Sequence, residues 1–132
     1  MGSGILFVSP RHEDATVLSR MLGSLSVSIE HVANLQQARV KTQSHRYDVI
    51  LTEASLSDGT WLDVLDLARQ ARPESEVIVT DQNADARFWA EALNLGAYDL
   101  IAQPFASAEV QRILSNACSH SALYSKSIRA AV

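Results

Sequence analysis

The chain reads as a single α/β domain built on a parallel sheet, and three observations carry that reading. Five short apolar runs alternate with five amphipathic segments of helical spacing. The runs are nearly continuous in hydrophobicity rather than strictly alternating, as expected of strands covered by helices on both faces. The length, 132 residues, is that of one ordinary domain of about 100–150 residues.

Each unit has its own local reasons. Ile5, Leu6, Phe7 and Val8 form a first buried strand that Pro10 ends. Ala15, Val17, Leu18, Met21 and Leu22 recur at helical spacing. Glu13 and Asp14 fall in that helix's first turn, where negative charge suits the dipole, and Gly23 is its expected stop. Val27, Ile29 and Val32 predict a weaker second strand, and Leu35, Ala38 and Val40 a helix over residues 35–42. Residues 47–52 (Tyr-Asp-Val-Ile-Leu-Thr) are the strongest strand signal. After the turn at Ser57, Asp58 and Gly59, a helix carries Trp61, Leu62, Val64, Leu65, Leu67 and Ala68, with Pro73 as its terminator. Val77 to Thr80 form the fourth strand. Phe88, Trp89, Ala92, Leu93 and Leu95 make the fourth helix, stopped by Gly96. Tyr98 to Ala102 form the fifth strand before Pro104, and Val110, Ile113, Leu114 and Ala117 the last helix. Beyond His120 the periodicity fades. The domain is therefore set at residues 5–120, with 121–132 a tail or the start of a linker.

Composition narrows the function. Apolar residues make up 47% and charged residues 20%, a globular balance rather than that of a disordered or membrane chain. The apolar runs fall far short of the roughly 20 residues that span a bilayer, and no secretory leader pattern opens the chain. A cytoplasmic location is expected. The net charge of −4 argues against contact with a nucleic-acid backbone. One cysteine, Cys118, excludes an internal disulfide and a multi-cysteine zinc site. His12, His31, His45 and His120 are scattered without ligand spacing, and no glycine-rich nucleotide cradle occurs.

In open parallel sheets, sites lie at the carboxyl ends of the strands. Those ends carry Ser9, Pro10 and Arg11, then Glu53 with Ser57-Asp58-Gly59, then Thr80-Asp81-Gln82, then Gln103-Pro104-Phe105. With the Gly96-Ala97 stretch leading to Gln103-Pro104-Phe105, these segments resemble the receiver domain of two-component response regulators, over roughly residues 5–117. The resemblance implies a flavodoxin-like (βα)5 fold with sheet order 2-1-3-4-5. It also implies a chemistry in which an aspartate after strand three takes a phosphoryl group from a histidine kinase. In that chemistry two acidic residues after strand one help hold Mg²⁺, while a Thr or Ser and a Lys bind the product and an aromatic on strand five reorients.

This sequence departs from that pattern at nearly every position. Glu53 stands at the phosphoacceptor position, and Ser9 and Pro10, followed by Arg11, at the acidic pair. Asp81 falls at the Thr/Ser position, with Thr80 one residue away as the alternative. Leu100 replaces the aromatic and Gln103 the lysine. Loss of the metal acids and of the lysine removes the charges that stabilise phosphoryl transfer. The expectation is a pseudo-receiver that is no enzyme, has no metal site and binds Mg²⁺ weakly or not at all. Arg11 is expected to bridge Glu53, and Asp81 as well, in the metal's place.

Asp58 is read as a turn residue that bonds its local backbone, and Cys118 as a packing residue. The expected partners are proteins, a histidine kinase or an effector domain, with a homodimer through the fourth helix, fifth strand and fifth helix. Arg87, Phe88, Tyr98, Gln111 and Arg112 are the contact candidates there. Of Phe88 and Trp89, one is expected on the core. Two alternatives stand beside this reading: a weakly phosphorylatable receiver using Glu53 or Asp58, and a small-molecule-binding domain of the same fold.

Overall fold

A computed structural model describes residues 3–71 and 74–131, with side chains over residues 4–71 and 74–121. Chain order runs β1 (Ser3–Val8), α1 (His12–Met21), β2 (Val27–Val32), α2 (Leu35–Ser44), β3 (Val49–Glu53). Two short strands follow, β4 (Ser55–Leu56) and β5 (Gly59–Thr60). The rest is α3 (Trp61–Gln70), β6 (Glu76–Asp81), α4 (Ala86–Leu95), β7 (Asp99–Ala102) and α5 (Ser107–Ala131). Five strands pair in parallel in the order β2-β1-β3-β6-β7. With β6 and β7 as the fourth and fifth strands of the sheet, this is the expected flavodoxin-like order.

The continuous apolar strands divide their side chains between two cores, as the two-residue period of a strand requires. Ile5, Phe7, Val49, Leu51, Ile78 and Ile101 pack under α1 and α5, with Leu18, Leu114 and Ala117. Leu6, Val8, Ile50, Val77, Val79 and Leu100 face α2, α3 and α4, with Trp61, Val64 and Ala92. Each fully buried aliphatic side chain contributes about 1.5–3 kcal/mol relative to exposure. That double layer fixes the strand ends on which the site is built.

Local chemistry sets the boundaries. Thr60 and Asp63 form a capping box on α3, in which Asp63 Oδ2 accepts from Thr60 N at 2.9 Å. Gly59 sits so close that a Cβ there would lie 2.7 Å from that carboxylate and 2.8 Å from Leu35. The antiparallel β4–β5 ladder that this turn closes carried no strand signal in the sequence. Gly96 ends α4 at φ 117°, where an L side chain is strained, and an added Cβ would also strike the Arg69 guanidinium. Gly23 does no such work: α1 closes at Leu22, and Gly96 is the one glycine of positive φ among the described residues.

The last helix departs from expectation. It runs through Ala131, so the segment set aside as a tail from residue 121 begins inside a helix. Ser121 is buried and accepts from Arg46 Nη2 at 3.2 Å. A polar residue at the inward position breaks the apolar period without ending the helix. The side chains of residues 122–132 and the expected terminator Pro73 lie outside the described residues.

Candidate functional site

Three strands bring the site together. Glu53 is the last residue of β3 and pairs in register with Thr80 of β6, while β7 leads directly to Gln103. The Glu53 side chain belongs to the buried set, at 9% exposure. Gln103 Nε2 donates to Glu53 Oε2 and also to Thr80 Oγ1, the latter at 3.2 Å. Thr80 Oγ1 in turn donates to the Ile101 carbonyl at 2.8 Å. The hydroxyl hydrogen is thus committed to strand β7, so the oxygen is free to accept, and the amide must present its nitrogen to both acceptors. One neutral amide therefore ties the carboxyl ends of β3, β6 and β7 into a closed unit.

The register decides between the two residues weighed for the Thr/Ser position. Thr80, buried and bonded to Gln103, is the group at the site. Asp81 is turned away, its Oδ2 accepting from Asn83 N at 3.2 Å. Leu100 is buried under α4, and Trp89 lies beside it, donating from Nε1 to Asp99 Oδ1 at 3.1 Å.

The expected Arg11 bridge is not formed. No ion pair joins Arg11 to Glu53 or Asp81 among the described residues. With the Gln82 amide oxygen turned toward it, the guanidinium instead donates from both Nη1 and Nη2 to that oxygen. The physical reason is placement: Arg11 stands exposed at the start of α1 and reaches Gln82 on the loop after β6, while Glu53 is buried at the end of β3. Ser9 is fully buried, and its Oγ accepts from the Arg11 backbone N–H at 3.0 Å while its carbonyl receives His31 Nε2 at 2.7 Å. The place of an acidic pair is thus occupied by a hydroxyl engaged with backbone and by the exposed Pro10.

Burial pushes the Glu53 carboxyl above its ordinary value of 4.5; the Gln103 bond opposes the rise, Asp14 adds to it, Arg11 opposes it and Asp81 adds to it. Asp14 is the residue that sequence reasoning passed over. It sits three residues past the α1 N-cap Arg11, and one of its oxygens, Oδ2, is sealed from solvent without a hydrogen-bond partner. The signal was available: a first-turn position on a helix that starts at the strand ends faces those ends.

Asp58 has a longer reach than a turn residue. Its Oδ1 and Oδ2 accept from Leu35 N at 2.8 Å and Gln36 N at 3.0 Å, so it caps α2 alongside the Asn34 side chain, which accepts from Gln37 N. The Leu35 bond, ahead of a small opposing burial effect and the Gln36 bond, holds its carboxyl below the usual 3.8. Of the partner-contact candidates, Arg87 and Arg112 are exposed. Phe88 packs against Trp61, Tyr98 against the His120 ring, and Gln111 Nε2 donates to the Met21 carbonyl at 2.8 Å. Among the described residues the exposed aromatic is Trp89, at 48%. No group of three or more His, Cys, Asp or Glu side chains is placed to hold a metal ion among the described residues.

The comparisons agree with this fold. The family model described as response regulator receiver domain matches residues 5–115. A curated relative, response regulator protein PilR of Pseudomonas aeruginosa, is 23% identical over 112 residues, covering 85% of this chain. The chain spans 25% of that relative's length. Among solved structures, the signal receiver domain of a putative LuxO repressor protein from Vibrio parahaemolyticus aligns with TM-score 0.85 at 18% identity, covering 94% of this chain and 95% of that one. The receiver domain of sensor histidine kinase PA1611 from Pseudomonas aeruginosa aligns with TM-score 0.76 at 30% identity, covering 90% and 99%; its structure has a magnesium ion coordinated in the active site cleft.

Proposed function

The chain belongs to the response regulator receiver domain family, and from that premise we propose that it is a pseudo-receiver, signalling by protein contact without conventional aspartyl phosphorylation. The observation that carries the reading is the closed unit of Glu53, Gln103 and Thr80. A phosphoryl acceptor needs an open oxygen facing a cation that neutralises charge in transfer. Here the carboxylate already accepts from an amide, which supplies no charge, and burial favours its protonated form. Glutamate also sets its oxygens about an ångström beyond aspartate, a displacement that can cost ~100-fold in rate.

The donor set does not fit a divalent ion of the kind seen in the PA1611 receiver. Ser9 faces backbone, Pro10 offers no side-chain ligand, Asp14 keeps Oδ2 sealed from solvent, and Arg11 places a guanidinium beside the strand ends. Mg²⁺ binding is weak or absent in this reading, and the domain is no enzyme. Asp58 is no substitute acceptor, since both its oxygens hold the start of α2.

Receiver domains meet histidine kinases and effector domains and can dimerise. For this chain the proposed contact face is α4–β7–α5. Trp89, Arg87 and Arg112 are among its exposed groups, and a shallow groove of about 230 Å³ runs past Trp89, Leu100 and Glu109. An exposed tryptophan is the side chain best suited to anchor such an interface. The proposed location is the cytoplasm; no helix among the described residues is long and apolar enough to cross a membrane. Incubation with acetyl phosphate and Mg²⁺ followed by intact-mass measurement tests the reading. The mass is expected to stay unchanged, and gain of one phosphoryl group that is lost in Glu53→Gln overturns it.

A further inference from the structure

Between α1 and the loops that follow β6 and β7 lies a cleft of about 440 Å³, lined by Arg11, Asp14, Gln82, Gln103, Pro104 and Phe105. Its size falls in the range of small-molecule sites, about 300–1,000 Å³. Its walls divide by chemistry. Pro104 and Phe105 supply an apolar side. Arg11 supplies the guanidinium, steadied by the Gln82 oxygen at two of its N–H groups, with no carboxylate paired to it among the described residues. Asp14, half-buried, supplies a carboxylate on the opposite side, with no cation paired to it among the described residues.

We propose that this cleft binds a small zwitterion of the amino-acid type: its carboxylate on Arg11, its ammonium on the Asp14 side, its apolar part against Pro104 and Phe105. The charge balance selects this class. A simple anion would meet Arg11 but also Asp14. A simple cation would meet Arg11 first. Only a molecule carrying both charges satisfies the two walls together, and a planar carboxylate matches the remaining N–H groups of a guanidinium held by its own neighbour. The inference goes beyond the pseudo-receiver reading and does not depend on it, since Arg11, Asp14, Pro104 and Phe105 make no hydrogen bond within the Glu53–Gln103–Thr80 unit.

An amide NMR titration of the whole chain with L-phenylalanine tests it, with phenylpropionate (no ammonium) and phenethylamine (no carboxylate) as single-charge controls. Saturable shifts at Arg11, Asp14 and Phe105 are expected with phenylalanine. Affinity is expected to fall about tenfold or more for each control, for Arg11→Gln and for Asp14→Asn, the loss of one charge-assisted contact. Absence of saturable shifts with phenylalanine overturns the proposal. So does equal binding by either control, or unchanged affinity in both variants when their spectra show the native fold.

Discussion

The connection from β3 to α3 carries one carboxylate at its start and one at its tip, and the two live in opposite worlds. Glu53, at the strand end, is buried and answered by a neutral amide, and its carboxyl is pushed up. Asp58, at the tip, faces solvent, receives two backbone N–H groups from α2, and its carboxyl is held down. In sequence they are two acids five positions apart. Position in the fold makes the first reluctant to carry charge and makes the second a structural anion. In the proposed pseudo-receiver the strand-end acid lacks the charged, metal-facing character that phosphoryl transfer needs, while the acid at the loop tip holds the start of α2.

The comparison breaks most readily at Gln103. Gln103→Leu leaves the Glu53 carboxylate buried without its donor and frees the Thr80 oxygen. A loss of about 1–3 kcal/mol is expected in denaturant unfolding at neutral pH. A smaller effect is expected at the other end: Asp58→Ala strips the side-chain acceptor from the first N–H groups of α2, and the melting temperature should drop, with amide exchange rising first at Leu35 and Gln36.

Titration sharpens the contrast because the two signs are opposed. Glu53 has a raised folded value, so the folded state holds its proton better, and its contribution weakens as pH rises from about 4.5 through that value. Asp58 has a lowered folded value, so its contribution is present above 3.8 and is lost as pH falls through the folded value. Glu53→Gln, which keeps an oxygen for Gln103, should therefore be more stable than the parent at pH 7–8. The gap should close toward pH 4.5, as read from melting curves across pH. The smallest effect belongs to Arg11→Gln. An exposed guanidinium bonded to one amide should shift stability by no more than about 0.5 kcal/mol, whereas a bridge to buried Glu53 would cost several times that.

The scaffold was legible because its signals are local and repeated. Ile5 to Val8 and Val77 to Thr80 read as buried strands from four residues each, and Gly96 announced the end of α4. The site was legible only in kind. Glu53, Gln103 and the loss of the acidic pair stand in the sequence, but which neighbour answers Glu53 depends on where a guanidinium and an amide fall in space. Charge alone favoured Arg11, while register gave Gln103 the position. The choice between Thr80 and Asp81 is a one-residue slip that flips a side chain to the other face of the sheet, and only the pairing of β3 with β6 resolves it. The bond from Asp58 to α2 spans 23 residues, and no local rule for an Asp-Gly turn contains it. At Ser121 an inward polar residue hid the continuation of α5 from a reading based on apolar period.

In the proposed pseudo-receiver an amide answers the strand-end acid where a metal ion would in a phosphorylated receiver. Trp61 is the natural reporter, because its backbone N–H donates to the carbonyl of Ala54, the residue after Glu53, at 3.0 Å. Titrating Mg²⁺ while following tryptophan fluorescence, with Trp89→Phe to isolate Trp61, should leave the emission unchanged through the millimolar range. Saturable quenching that disappears in Glu53→Ala would contradict the account.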